Sequence, residues 1–183
     1  MYPFFLTCIL AGIEKQFLGE IEMKKAMALT VGLIVAGVVG TSAISDANHD
    51  TKALNAAVKA RQSQMTLYAF NIGLLGGMAK GDIEYNADAA SAAAANLAAL
   101  SKLDQSRFWP KGSDNVALGA DTTEALPAIW MADSKVGEKA MAFAAAATNM
   151  EQAAGGGLDS LRGAIGDLGK SCGGCHETYR EKQ

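Results

Sequence analysis

Residues 89–99 read AASAAAANLAA, and residues 140–147 read AMAFAAAA. Both runs consist mostly of alanine, the strongest helix former, and neither contains a β-branched residue that would favour a strand. Apolar residues make up 50% of the sequence but aromatic residues only 7%, so the core must be built from slender elements that pack closely. Helices meet this requirement, and an all-α fold is predicted.

Turn signals on either side of these runs divide the chain into four helical stretches. The predicted stretches run from Asp50 or Thr51 to between Gly76 and Gly81, from 86 to 103, from 124 to 153, and from Asp159 to the C-terminal region. A loop with several helix breakers separates the second stretch from the third, and Pro127 is accepted in the first turn of the third. Four amphipathic helices with short links and one longer crossover predict an antiparallel four-helix bundle.

Residues 23–47 have the features of a secretory signal peptide. Lys24 and Lys25 precede an apolar stretch at 26–39, and small residues follow, with cleavage expected after Ala47 or, as the alternative, after Ala43. An uncleaved anchor is less favoured because the apolar stretch is shorter than the roughly 20 residues that span a bilayer. Residues 1–22 are interpreted as an upstream extension from a misplaced start codon, which leaves 48–183 as the mature domain.

Charge and cysteine content exclude two classes of protein. The net charge is -3, and no dense Lys/Arg stripe is present that could follow a phosphate backbone, so nucleic-acid binding is not expected. The chain has 3 cysteines, of which Cys8 lies in the upstream extension and two lie in one short motif. A disulfide framework is therefore not expected either.

That motif is CGGCH at residues 172–176, at the end of the fourth predicted helix. Cysteines three apart project from one helix face, so Cys172 and Cys175 can both reach the vinyl groups of one haem. His176 follows on the same side and can bind the iron as an axial ligand. A redox dithiol would favour a βαβ context, and a zinc site would need further nearby ligands. We therefore predict one covalent haem c per chain.

The group on the other face of the iron decides the function, because electron-transfer cytochromes usually have a Met or a second His there. His49, near the start of the first helix, is expected to be solvated. Met65 lies in the middle of the first helix on its apolar side. The other methionines of the helical region are predicted to fill the core, namely Met78, Met131, Met141 and Met150.

Four sequence patches, in this order, make residues 51–182 resemble cytochrome c′, a dimeric four-helix haem protein of the bacterial periplasm. The patches are RQSQM at 61–65, FWPKGS at 108–113, EALPAIW at 124–130 and CGGCHETYR at 172–180. The resemblance implies a periplasmic location after signal cleavage, with no membrane attachment. It also implies a homodimer formed through the first two helices.

The resemblance also implies roles for individual residues. Arg61 and Gln62 match positions near the haem propionates, where a guanidinium suits a carboxylate. Glu124 matches a further haem-contacting position, and Arg180 a basic residue beside the axial histidine. Met65 matches the residue that sits over the iron without bonding it. Trp109, Trp130 and Tyr179 are interpreted as packing residues.

Two functions follow as expectations. The first is a five-coordinate haem protein that binds nitric oxide or carbon monoxide, since an apolar pocket admits a neutral diatomic but not an anion. The second is an electron carrier, either with an open site or with Met65 as a sixth ligand, as in low-spin relatives of the superfamily. An enzyme is not expected, because the predicted open side of the iron offers no His or carboxylate for acid–base chemistry. The redox partner is not predicted.

Overall fold

The computed structural model describes residues 42–182, and the side chains of residues 50–182. Its helices are α1 (Ser42–Lys80), α2 (Ala87–Ser101), α3 (Asn115–Leu118), α4 (Val136–Ala153) and α5 (Leu158–Tyr179). Two 3-10 turns, Ser106–Phe108 and Pro127–Trp130, lie in the crossover between α2 and α4. Between residues 42 and 182 the strand-like pairing is a single antiparallel bridge, formed by Ala125 and Arg180.

The four long helices form a closed ring of contacts. Helix α4 packs against α5 and α2, while α1 packs against α2 and α5. Each long helix therefore has two long neighbours and turns its apolar stripe to a common centre. This arrangement confirms the predicted four-helix bundle.

Alanine lets these helices approach closely. The largest fully buried side chains of the bundle centre are Leu75, Leu97, Met150, Leu161 and Leu168. Buried alanines of α2 and α4 fill the space between them, namely Ala90, Ala93, Ala94, Ala98, Ala146 and Ala147. The helix contacts are therefore lined by alanine, as expected for a sequence with few aromatic residues.

Turn and cap residues define the end of α1 and the start of α2. Gly81 has a φ of 87°, a left-handed conformation that stops α1 directly after Lys80. The Asn86 side chain accepts a hydrogen bond from the Ala89 N–H at 2.9 Å and caps α2.

The predicted start of α1 at Asp50 or Thr51 is wrong, because the helix begins at Ser42. No Gly or Pro stands between 42 and 50 to stop the helix from extending upstream. The predicted cleavage position after Ala47 therefore falls within α1. The extension at 1–22 and residues 23–41 of the predicted signal lie outside the described residues.

The predicted start of the third bundle helix at 124 is also wrong, because α4 begins at Val136. Backbone pairing with the C-terminal segment holds the preceding residues extended. The Leu126 N–H donates to the Tyr179 carbonyl at 3.0 Å, and the Glu181 N–H donates to the Glu124 carbonyl at 2.8 Å. Pro127 then opens a 3-10 turn instead of an α-helix.

Two of the four methionines predicted to fill the core are instead on the surface. Met78 and Met150 are buried as predicted, with exposed fractions of 2% and 0%, but Met131 and Met141 are 58% and 67% exposed. Helix α4 carries alanine on every side, so its sequence gives little contrast between the buried and the exposed face. Met131 lies in the irregular segment before α4.

Candidate haem site

The CGGCH motif lies in the last two turns of α5. Cys172, Cys175 and His176 are each partly buried, and both thiols are free. Burial raises the pKa of both thiols, most strongly by removing them from water, and Lys139 partly opposes this at Cys175. The helical geometry predicted for the motif is therefore present, with two unpaired sulfurs one turn apart.

Two hydrophobic clusters meet at the motif. The main bundle core includes Leu168, one turn before Cys172, and Met65 packs against it. A second, smaller cluster is centred on Ile129 and Tyr179, with Cys175 packed against it. Since a haem is a large, flat and mostly apolar group, this junction offers the surroundings that it needs.

Aromatic side chains lie on both sides of this junction. Tyr68 of α1 contacts Phe143 of α4, with ring centroids 4.6 Å apart. Burial, together with the nearby Cys172 thiol, raises the pKa of Tyr68 to about 12. Trp109 and Trp130 pack against the smaller cluster with their centroids 6.4 Å apart, which supports the packing role predicted for them.

Arg61 is buried, with an exposed fraction of 3%, and binds the crossover segment. Its Nη1 donates to the Ser113 Oγ at 2.7 Å and its Nη2 to the Thr123 Oγ1 at 2.6 Å. The guanidinium also lies 4.9 Å from the centroid of the Trp109 ring. None of these partners carries a charge, and burial lowers the pKa of Arg61, with Asp114 opposing the shift.

Gln62 binds the same segment from an exposed position, donating from Nε2 to the Thr122 carbonyl at 3.0 Å. Arg61 and Gln62 therefore both connect α1 to the crossover, as neighbours in the sequence. The buried hydroxyl partners Ser113 and Thr123 were not predicted as site residues. Ser113 ends the second sequence patch and Thr123 directly precedes the third, but short hydroxyl side chains are common in loops, so the sequence did not mark either as a site residue.

Glu124, Arg180 and His176 lie together at one end of α5. The Arg180 Nε and the Glu124 Oε2 are 3.7 Å apart, and both side chains are partly exposed. Burial lowers the pKa of His176, the Arg180 charge adds to this, and the Glu124 carboxylate opposes it. A neutral imidazole is the form that coordinates a metal.

These residues fit a haem better than a bare metal ion. Among the described residues, no group of three or more His, Cys, Asp or Glu side chains could hold a metal ion. The site instead offers two free sulfurs, one imidazole and an apolar junction, which are the attachment, ligand and surroundings of a haem c.

The comparisons agree with this chemistry. A family model described as cytochrome C' matches residues 56–180. Cytochrome c-554 from Cereibacter sphaeroides is 42% identical over 158 residues, covering 86% of this chain and 96% of that protein. Cytochrome c' from the same organism is 35% identical over 150 residues, covering 82% and 95%.

A solved structure also matches. It is the nitric oxide complex of a mutant of cytochrome c prime from Alcaligenes xylosoxidans, with 34% identity and a TM-score of 0.61, covering 71% of this chain and 97% of that chain. The resemblance drawn from the four sequence patches is confirmed. This chain is a c-type haem protein of the cytochrome c′ family.

Proposed function

We propose that this protein carries one haem c, bound through thioether bonds of Cys172 and Cys175, and that it binds small neutral gases, nitric oxide or carbon monoxide, at a five-coordinate iron. The observation that carries the proposal is the CGGCH motif at the junction of two apolar clusters. When bound, the haem supplies an iron that takes up a diatomic gas and exchanges single electrons. The similar nitric oxide complex supports this ligand class.

Different residues of the site would hold different parts of the haem. His176 binds the iron from one side, and Arg180 and Glu124 lie beside it. Arg61 and Gln62 would hold the propionates. A buried cation is costly unless an anion neutralises it, and the described hydrogen-bond acceptors of Arg61 are all uncharged. A propionate carboxylate is therefore a favourable partner for Arg61.

Met65 faces the open side of the iron in this proposal. It is partly buried on α1 and packs against the main core, so it crowds an apolar space. An anion entering that space would lose its hydration without compensation, whereas a neutral diatomic has little hydration to lose. We therefore expect the open side of the iron to favour neutral gases over anions by desolvation.

Single-electron transfer by a low-spin haem is the second candidate function. A methionine thioether is a common sixth ligand in electron-transfer cytochromes. Met65 packs against the main core, which includes Leu161 and Leu168 of α5. In this case Met65 would bind the iron and exclude the gases.

An absorption spectrum separates the two candidates. The ferrous protein is expected to show a high-spin spectrum, because the sixth position is open, and to change on addition of nitric oxide. A sharp low-spin spectrum that does not respond to the gas would reject gas binding and favour the Met65-ligated electron carrier.

We also propose a homodimer that forms through α1 and α2. A surface groove of about 370 Å³ lies between these helices and is lined in part by Leu100 and Asn71. Around it Phe70 is 74% exposed, Leu67 47% and Leu103 49%. Large exposed apolar side chains that cluster beside a groove mark an interaction surface, and a second copy would bring its own Phe70 to the same groove.

Replacing Phe70 by Asp is expected to convert the dimer to a monomer, because each interface would then bury two carboxylates in an apolar groove. Sedimentation velocity measures the change. Val116→Asp is the matched control, since Val116 is 80% exposed on α3, away from the groove, and should leave the dimer intact. A Phe70→Asp protein that sediments like the unchanged dimer would contradict this interface.

The protein is further proposed to act in the periplasm. The signal-like segment at 23–47 and the need to attach haem c after export both support this location. Within the part of the chain that the structure describes, no helix combines the length and apolarity that a bilayer crossing requires.

A further inference from the structure

Thr123 occupies a joint between helix α1 and the C-terminal segment that carries the haem motif. Its side chain is buried, with an exposed fraction of 3%, and its Oγ1 accepts two hydrogen bonds. One comes from Arg61 Nη2 at 2.6 Å, and the other from the Ala125 N–H at 3.2 Å. The Thr123 hydroxyl therefore contributes to holding the crossover on α1 and also shapes the backbone that follows it.

The backbone directly after Thr123 pairs with the end of α5. Ala125 forms the antiparallel bridge with Arg180, and Leu126 donates to the Tyr179 carbonyl at 3.0 Å. Tyr179 is buried and lies one turn after His176, and the Arg180 N–H closes that turn on the His176 carbonyl at 3.1 Å. Successive hydrogen bonds, connected by short stretches of backbone, therefore lead from Arg61 to His176.

We propose that Thr123 is a positioning residue for His176, acting through the bridge between 124–126 and 179–181. This inference rests on the proposed function, because it takes His176 as the axial ligand of a bound haem. Helix α1 and His176 are then connected by a path of hydrogen bonds and backbone through residues 123–126 and 179–180. Orientation of the imidazole depends on that path.

The positioning role of Thr123 requires a hydroxyl that accepts hydrogen bonds. Valine has nearly the shape of threonine but cannot accept a hydrogen bond, so Thr123→Val leaves two buried N–H groups without their acceptor. Those groups must find other partners, which moves residues 123–125 and with them the pairing to Tyr179 and Arg180. Serine keeps the acceptor and should keep the geometry.

An experiment on the haem-loaded protein tests this role by electron paramagnetic resonance of the ferric form, whose g-values report the rhombic distortion of the ligand field at the iron and so respond to the orientation of an axial imidazole. Thr123→Val is expected to shift the g-values, and Thr123→Ser to restore those of the unchanged protein. Thr122→Val is the matched control, because the backbone contacts of Thr122 with Gln62 and Gly119 do not use its hydroxyl.

Thr123→Ala gives the same comparison if the valine variant does not accumulate as a folded protein. Unchanged g-values in a haem-loaded Thr123 variant that lacks the hydroxyl would overturn the positioning role while leaving haem binding intact. A g-value shift as large in Thr122→Val would also overturn it. An unsubstituted protein without haem absorption would instead overturn the proposed function, and the positioning role with it.

Discussion

A chain in which Cys172 and Cys175 are both replaced by alanine is expected to retain no covalent haem. Both thiols are free and one helical turn apart on α5, so they are the sulfurs available to the two vinyl groups. Without them, any haem would be held by His176 and apolar contacts alone and would be lost on denaturation. Haem staining of a denaturing gel and intact-mass measurement detect the loss.

Ser171→Ala is the matched control for this double substitution. Ser171 stands next to the motif; its hydroxyl donates to the Leu168 carbonyl at 2.7 Å and interacts with the Cys172 thiol, but its removal leaves both sulfurs in place. That variant should stain for haem like the unchanged protein. A covalently attached haem that survived in the double variant would show that the attachment lies elsewhere in the chain.

Substitution of Met65 by alanine is expected to raise the affinity for carbon monoxide by about tenfold or more, which equals about 1.4 kcal/mol. In the proposed function this side chain crowds the open side of the iron, and its removal makes room for the gas. The ferric protein should remain high-spin throughout. Titration of the reduced protein with carbon monoxide, followed by absorption, gives the affinity.

Met141→Ala provides the comparison, because Met141 is 67% exposed on α4 and its loss should change neither the spectrum nor the affinity. Conversion from low-spin to high-spin on removal of Met65 would contradict the five-coordinate proposal and establish Met65 as a sixth ligand. An unchanged affinity with an unchanged spectrum would remove Met65 from the iron site altogether.

The sequence predicts best those features that depend on local chemistry. The helical CGGCH motif, the end of α1 before Gly81 and the start of α2 after Asn86 are set by residues within one turn, and each lies where the sequence predicts. The alanine runs also predict slender helices and a closely packed core. All of these follow from the residues themselves, without knowledge of distant partners.

Features that depend on distant partners were less predictable. Residues 124–126 are extended because they pair with 179–181, more than 50 positions away, and the spacing of apolar residues around Pro127 gives no sign of that pairing. The partners of Arg61 likewise lie 47 to 62 positions along the chain. The exposed Met141 has a different cause, since alanine on all sides of α4 hides which face is buried.

The buried guanidinium of Arg61 has a consequence for how the protein matures. With uncharged hydrogen-bond acceptors around it, the polypeptide alone bears the desolvation of a full positive charge inside its own bundle. A propionate would lift that penalty, so acquiring the porphyrin and completing the native state reinforce one another thermodynamically. Under the proposed function, the chain is then less stable before it binds the haem than after.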